Sequence, residues 1–177
     1  MRVFVTGTDT NIGKTFISAR LCQLWKADYW KPIQTGQPAD HTFMPEGVRI
    51  HPEAYHLQAP LSPHAAAARE GVGIDLQSIQ CPNASSLVVE GAGGVFVPLN
   101  EKEMMIDLIK HLNLPILVVA PNRLGVINQV LLTLHALKGL EILGVILNGE
   151  DSTNIHEEAI KKFSGVSVYN ENSLCDI

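Results

Sequence analysis

The sequence holds few cysteines and no surplus of basic charge, and its apolar runs are short. Cys22, Cys81 and Cys175 form no close pair, leave an odd count and include no Cys-x-x-Cys spacing. That excludes a disulfide framework or a zinc ribbon and reads as reduced thiols in a cytoplasm. With 13 Lys+Arg against 18 Asp+Glu, the formal charge is −5 and no basic cluster stands out. A nucleic-acid or anionic-membrane partner needs a basic face, so neither is expected. Small anionic ligands, which need only a few local cations and backbone donors, stay possible. The longest apolar stretch, Leu114 to Pro121, falls far short of the roughly 20 residues that cross a bilayer. The opening residues, Met1 to Val5, run straight into a glycine-rich loop without a signal-peptide cleavage site. There is no internal repeat, no low-complexity tract and no linker.

What is present is enough for one domain across residues 1–177, with 46% hydrophobic residues to build its core. Short β-rich runs alternate with helical patterns, which predicts an α/β fold. Strands are expected at Arg2–Thr6, Tyr29–Pro32, Leu87–Val89, Ile116–Ala120 and Ile142–Leu147, with an edge strand at Val166–Tyr169. Helices are expected at Lys14–Lys26, from Ser62-Pro63 through Ala68, and at Met104–Leu112, Val126–Leu137 and Ile155–Phe163. Gln34–Pro60 shows no period and reads as a long loop, a length usually tied to function or motion.

The first strand leads into Gly7-Thr8-Asp9-Thr10-Asn11-Ile12-Gly13-Lys14-Thr15 and then a helix. Glycine lets backbone N–H groups approach phosphate oxygens, and the helix N-terminus adds partial positive charge. Lys14 suits β- and γ-phosphates, and the Thr15 hydroxyl suits a Mg²⁺ shell. Five residues rather than four separate Gly7 from Gly13, and Thr8 stands at the strict first-glycine position. A second cluster, Val88-Val89-Glu90-Gly91-Ala92-Gly93-Gly94, ends the third strand, where a doubly wound sheet places its ligands. Glu90 there is a candidate metal carboxylate; alone it would read as a solvated turn. In Lys31-Pro32-Ile33-Gln34-Thr35-Gly36 the lysine either holds a second anion near the γ-phosphate or is a surface residue before a turn.

Together and in this order, these motifs resemble the dethiobiotin synthetase family. Ser62-Pro63-His64 and Leu124-Gly125-Val126-Ile127-Asn128 complete the match, which spans residue 3 to about 148 with gaps. The five-residue spacing is the family's own form. The resemblance implies a three-layer, doubly wound, mostly parallel sheet of the P-loop NTPase type. It also implies a ligase of biotin biosynthesis: one amine of 7,8-diaminononanoate captures CO₂ (bicarbonate) as a carbamate, which attacks ATP, and the second amine closes the ring. On that basis Lys31, Lys14 and Thr10 are the expected catalytic residues. Thr8, Asp9, Asn11, Ile12, Gly13, Lys14, Thr15 and Phe16 are expected around the nucleotide, together with Glu90 and Asn148. Thr35, Gly91, Ala92, Gly93 and Gly94 are expected at the diamine. Gly125, Val126 and Asn128, at a helix start, are expected to read its carboxylate across a homodimer interface.

The resemblance has departures. The family's Ser-Asp-Ala triplet, whose Asp joins the Mg²⁺ shell, has no counterpart after Lys31. Thr15 and Glu90 are therefore the metal ligands expected, with Glu53 a weak third and Glu46 weaker. Segment 34–60 and the C-terminus read as shortened, and Gly165–Tyr169 lacks the proline of the family's base-binding stretch. Loss of the acid leaves an alternative open, a non-catalytic nucleotide-binding scaffold. A partitioning-type ATPase fits less well, because its extra lysine near the start of the loop is missing. His41, His51 and His56 are scattered and read as solvated rather than as a metal set. Met104-Met105 reads as helix core, and Trp25 and Trp30 as packing between helix and sheet.

Overall fold

A computed structural model describes residues 1–149 and 154–177. Its elements run β1 (Arg2–Gly7), α1 (Lys14–Trp25), β2 (Asp28–Trp30), β3 (Ile33–Thr35), β4 (Ile50–His51), β5 (Tyr55–Leu57), α2 (Pro63–Glu70), β6 (Leu87–Gly94), α3 (Met105–Leu112), β7 (Ile116–Pro121), α4 (Val126–Ala136), β8 (Ile142–Asn148), α5 (Ile155–Ser164) and β9 (Val168–Asn170). Seven strands form one parallel sheet in the order β4-β2-β6-β1-β7-β8-β9, and β3 and β5 pair separately. Helices cover both faces, giving the α/β fold the alternation predicts in the three-layer, doubly wound form the resemblance implies.

Period-two alternation sorts β1 between the two cores. Val3 and Val5 pack with Ile17 and Leu21 of α1, while Phe4 packs on the other face with residues of α2, α3 and α4. Because both faces are covered, β1 and β7 are almost wholly apolar, as buried parallel strands must be. The order places β1 between β6 and β7, so the chain after β1 leaves at the point where the winding reverses direction. Ligand sites form in the crevice there, beyond the carboxyl ends of the strands.

Segment 34–60 departs from the expected loop. It carries β3, β4, β5 and a 3₁₀ turn at Asp40–Phe43. The strands are two or three residues long, too short for a period to show in sequence; β3 and β5 pair with each other and β4 with β2. β4 extends the main sheet beside β2, with Tyr29 opposite Ile50. Trp30 is buried and donates from Nε1 to the Pro52 carbonyl at 3.0 Å, and Trp25 packs against the α1-side core. Met105 is buried, whereas Met104 precedes α3 and is half exposed, a correction to reading both as core. Ser62 is the N-cap residue of α2, but its hydroxyl makes no capping hydrogen bond and meets His64 Nδ1 at 3.1 Å instead. Among the described residues no helix is long and apolar enough to cross a membrane.

Candidate active site

The loop 7–15 joins β1 to α1 by a tight passage. Gly13 has φ +92, and a Cβ there would lie 2.0 Å from Asn148 Nδ2. Only glycine combines that left-handed conformation with so close an approach. Asn148, at the end of β8, donates from Nδ2 to the Ile12 carbonyl at 3.0 Å and so braces the loop from two strands away. Lys14 folds back and donates to the Asp9 carbonyl at 2.7 Å, a loop curled around its own ammonium. Burial lowers the Lys14 pKa to about 8, because desolvation and Lys31 outweigh Glu90, Asp40 and Asp9.

A cavity of about 360 Å³ opens over this loop, lined by Thr10–Thr15, Lys31, Thr35, Asp40, Glu90, Ala92 and Gly93. The structure thus brings together residues from four separate stretches of chain. Glu90 is 1% exposed and fully engaged. Its Oε1 accepts from the Thr15 hydroxyl at 2.9 Å and from Lys31 Nζ at 3.1 Å, and its Oε2 accepts from the Tyr29 hydroxyl at 3.0 Å. Burial and the Glu90 carboxylate both push the Tyr29 phenol well above its usual pKa, so it acts as a donor throughout the neutral range. Lys31 directly follows β2 and also pairs with Asp40. Burial alone would favour its neutral amine, but Glu90 and Asp40 outweigh it and hold the pKa above the ordinary lysine value. Lys31 is buried and doubly paired, so it is not a surface residue before a turn.

Asp40 is the residue that sequence reasoning missed. It opens the 3₁₀ turn after β3 with its carboxylate on Lys31. The available signal was an acid in Pro38-Ala39-Asp40, shortly after the lysine, but no motif marks it. Glu53 does not reach the cavity. Its Oε1 meets His41 Nδ1 at 2.7 Å and its Oε2 lies 3.7 Å from His56. Burial would raise its pKa, but its own backbone N–H and His41 hold it below the usual range. His51 meets Asp28 at 2.8 Å, so all three loop histidines have partners rather than standing free in solvent. No group of three or more His, Cys, Asp or Glu arranged to hold a metal ion occurs among the described residues. The oxygens of Thr15, Glu90 and Asp40 are nevertheless hard donors gathered around one cavity, the chemistry that suits Mg²⁺.

Two further cavities continue the first. One of about 560 Å³ shares Thr10, Asn11, Thr35, Ala92 and Gly93 and extends along Pro60–Pro63 to Val97. The other, about 360 Å³, runs from Thr8–Thr10 past Ser62 and Gly94–Pro98 to Leu132 and Thr133. Gly91 packs so closely that a Cβ would lie 2.9 Å from Phe4, and its role is therefore one of close packing. Gly125 precedes α4 with φ +94; Val126 is buried, Leu124 and Leu132 stand exposed, and Leu132 lines the third cavity. Phe16 is half exposed in the first turn of α1. Neither Gly125 nor Asn128 lines these cavities within one chain.

Comparison with known proteins identifies the family. The ATP-dependent dethiobiotin synthetase BioD of Paramagnetospirillum magneticum is 51% identical over 177 residues, covering 96% of this chain and 86% of that protein. The chain belongs to the ATP-dependent dethiobiotin synthetases. The protein of the same name from Lawsonia intracellularis is 48% identical over 156 residues, or 85% of this chain and 77% of its own length. A family described as AAA domain matches residues 1–171. Among solved structures, a ParA family ATPase from Chlorobium tepidum superposes with a TM-score of 0.62 at 13% identity, over 96% of this chain and 82% of that one. At that identity the likeness concerns the fold alone. The partitioning-type reading therefore has only the fold in its favour.

Proposed function

We propose that this chain uses ATP to close the cyclic urea of dethiobiotin from 7,8-diaminononanoate and CO₂, releasing ADP and phosphate. The observation that carries the reading is Lys31, buried between Asp40 and Glu90 at the mouth of the phosphate loop. Lys14 and the loop backbone would receive the β- and γ-phosphates, and Asn148 would face the base. Mg²⁺ fits the oxygens of Thr15, Glu90 and Asp40, and when bound it neutralises charge on the phosphates. Asp40 takes the place assigned to Glu53 on sequence grounds.

The chemistry asks mainly for positioning and charge stabilisation. One amine and CO₂ form a carbamate, losing one proton. A carbamate oxygen attacks the γ-phosphorus, the bond to ADP breaks, and a carbamic-phosphoric anhydride results. The second amine then attacks its carbonyl carbon, phosphate leaves, and the ring closes with loss of that amine's proton. Lys31 is charged at neutral pH and would hold the carbamate and the transferring phosphoryl. Thr10 and Thr35 face the same cavity and would donate to the reacting groups. The cavity along Pro60–Pro63 would take the diamine chain. Its carboxylate would reach the start of α4, at Gly125, Val126 and Asn128, in a second copy of the chain. The exposed Leu132 and Phe96, which line the third cavity, and the exposed Leu124 just before α4 supply an apolar surface for that homodimer. A soluble cytoplasmic setting accords with free thiols and acidic charge.

The scaffold alternative rested on a missing acid, and Asp40 on Lys31 supplies one, so the catalytic reading is preferred. The test is phosphate release from ATP with the diamine and bicarbonate each omitted in turn, dethiobiotin being identified by mass. Release is expected only with both, and Lys31→Ala should lower kcat by a factor of 100 or more, on the order of one lost charge contact at a phosphoryl-transfer centre. Release independent of the diamine overturns the reading.

A further inference from the structure

Asp40 stands on a stretch with little structure of its own. Between the end of β3 at Thr35 and the turn that begins at Asp40 there is neither helix nor strand, so something else must hold the carboxylate against Lys31. Gln34, in β3, is 2% exposed, and each polar atom of its side chain is used. Its Oε1 accepts from the Asp40 backbone N–H at 3.1 Å. Its Nε2 donates to the carbonyls of Thr35 at 2.9 Å and Gly36 at 3.3 Å. One buried amide thus ties both ends of the reversal that carries the acid. A buried amide is tolerated only with such partners, because an unpaired one costs its full desolvation. Gln34 itself does not line the cavity.

We infer that Gln34 is a positioning residue of this site. Its side chain sets where the Asp40 carboxylate stands relative to Lys31 and Glu90, and so how firmly the site holds the metal ion that accompanies a nucleotide. The inference rests on the metal role of Asp40 given above, and its test needs no diamine. ADP binding is measured by calorimetry with Mg²⁺ and again with EDTA, for the wild-type chain, Gln34→Met, Asp40→Asn and the double variant. Wild type is expected to gain affinity from Mg²⁺. Gln34→Met should bind ADP in EDTA as wild type does and lose roughly tenfold of the Mg²⁺ gain, the scale seen when a group supporting a metal ligand is removed. Because Gln34 acts through Asp40, the double variant should lose no more than Asp40→Asn alone. Excess Mg²⁺ should restore the ADP affinity of Gln34→Met to the wild-type level, which a merely structural defect would not allow. If Gln34→Met fails to fold, Gln34→Asn, whose amide is one methylene too short to reach Asp40, takes its place with the same expectations. A full Mg²⁺ gain in the variant, or losses that simply add in the double variant, overturns the inference. A wild-type chain indifferent to Mg²⁺ overturns the metal role of Asp40 and this inference with it, while diamine-dependent phosphate release judges the reaction separately.

Discussion

Lys14 and Lys31 share one cavity, yet their surroundings move them in opposite directions. Lys31 has two carboxylates in contact, whereas Lys14 has a backbone carbonyl and mostly its own burial. The Lys14 pKa of about 8 lies below its unfolded value. Between pH 8 and the ordinary lysine range the unfolded chain therefore binds more protons, and through this group the nucleotide-free fold gains stability as pH rises across that window. A bound polyphosphate reverses the balance by favouring the ammonium. ADP binding should then take up as much as one proton above pH 8, and its affinity should fall by about tenfold per pH unit beyond that point. Calorimetry at pH 8.5 in two buffers of different ionisation enthalpy measures the uptake. Lys14→Gln should abolish it, and uptake that persists in that variant would assign the proton elsewhere.

At the scale of elements, the phosphate loop depends on β8 as much as on β1 and α1. Asn148 closes on the Ile12 carbonyl from across the sheet, and Gly13 leaves the room for it. Gly13→Ala puts a methyl group where the Asn148 amide stands and forces a non-glycine residue to φ +92. Denaturant unfolding should show a loss of about 1–3 kcal/mol for the strained backbone and displaced amide, with ADP affinity down at least tenfold. Ala at Gly71, with φ +66 and open space around the added carbon, isolates the backbone part of that cost. A Gly13→Ala variant that binds ADP normally would show that the Asn148 brace is dispensable. Segment 34–60 teaches the complementary lesson. Its strands exist because β2 offers β4 an edge and because β3 and β5 pair with each other, and two or three residues cannot announce that in sequence.

For the whole molecule, the open matter is the second copy. Leu124, just before α4, is 96% exposed, and Leu132 is 62% exposed and lines a cavity that shares Thr10 with the phosphate site. Large apolar groups gathered at a cavity mouth mark a surface to be covered. Leu132→Glu should leave folding intact, since its side chain is largely exposed, and should convert a dimer to a monomer in sedimentation. ADP affinity should stay within twofold while the KM for the diamine rises at least tenfold, because the phosphate loop is complete in one chain and the proposed carboxylate pocket is not. A monomeric wild type with normal turnover would remove the partner from the site.

Much of this molecule follows from its sequence, because the determinants are local. The alternation of β-rich and helical segments requires a parallel α/β sheet, and Gly13-Lys14-Thr15 between a strand and a helix requires a phosphate loop. Glu90 before Gly91-Ala92-Gly93-Gly94 lies at a strand end, the position at which such sheets gather their ligands. Asp40 was not legible, nor were Tyr29 and Gln34 as the groups behind the two acids. Their roles depend on distances across the sheet and across an irregular turn: Tyr29 lies 61 residues from Glu90, and Gln34 acts through the backbone N–H of Asp40. Residue type and spacing record what a chain can do along its own length. Only the tertiary structure decides which acid faces which lysine, because that choice is made by burial and by the need of every buried polar group for a partner.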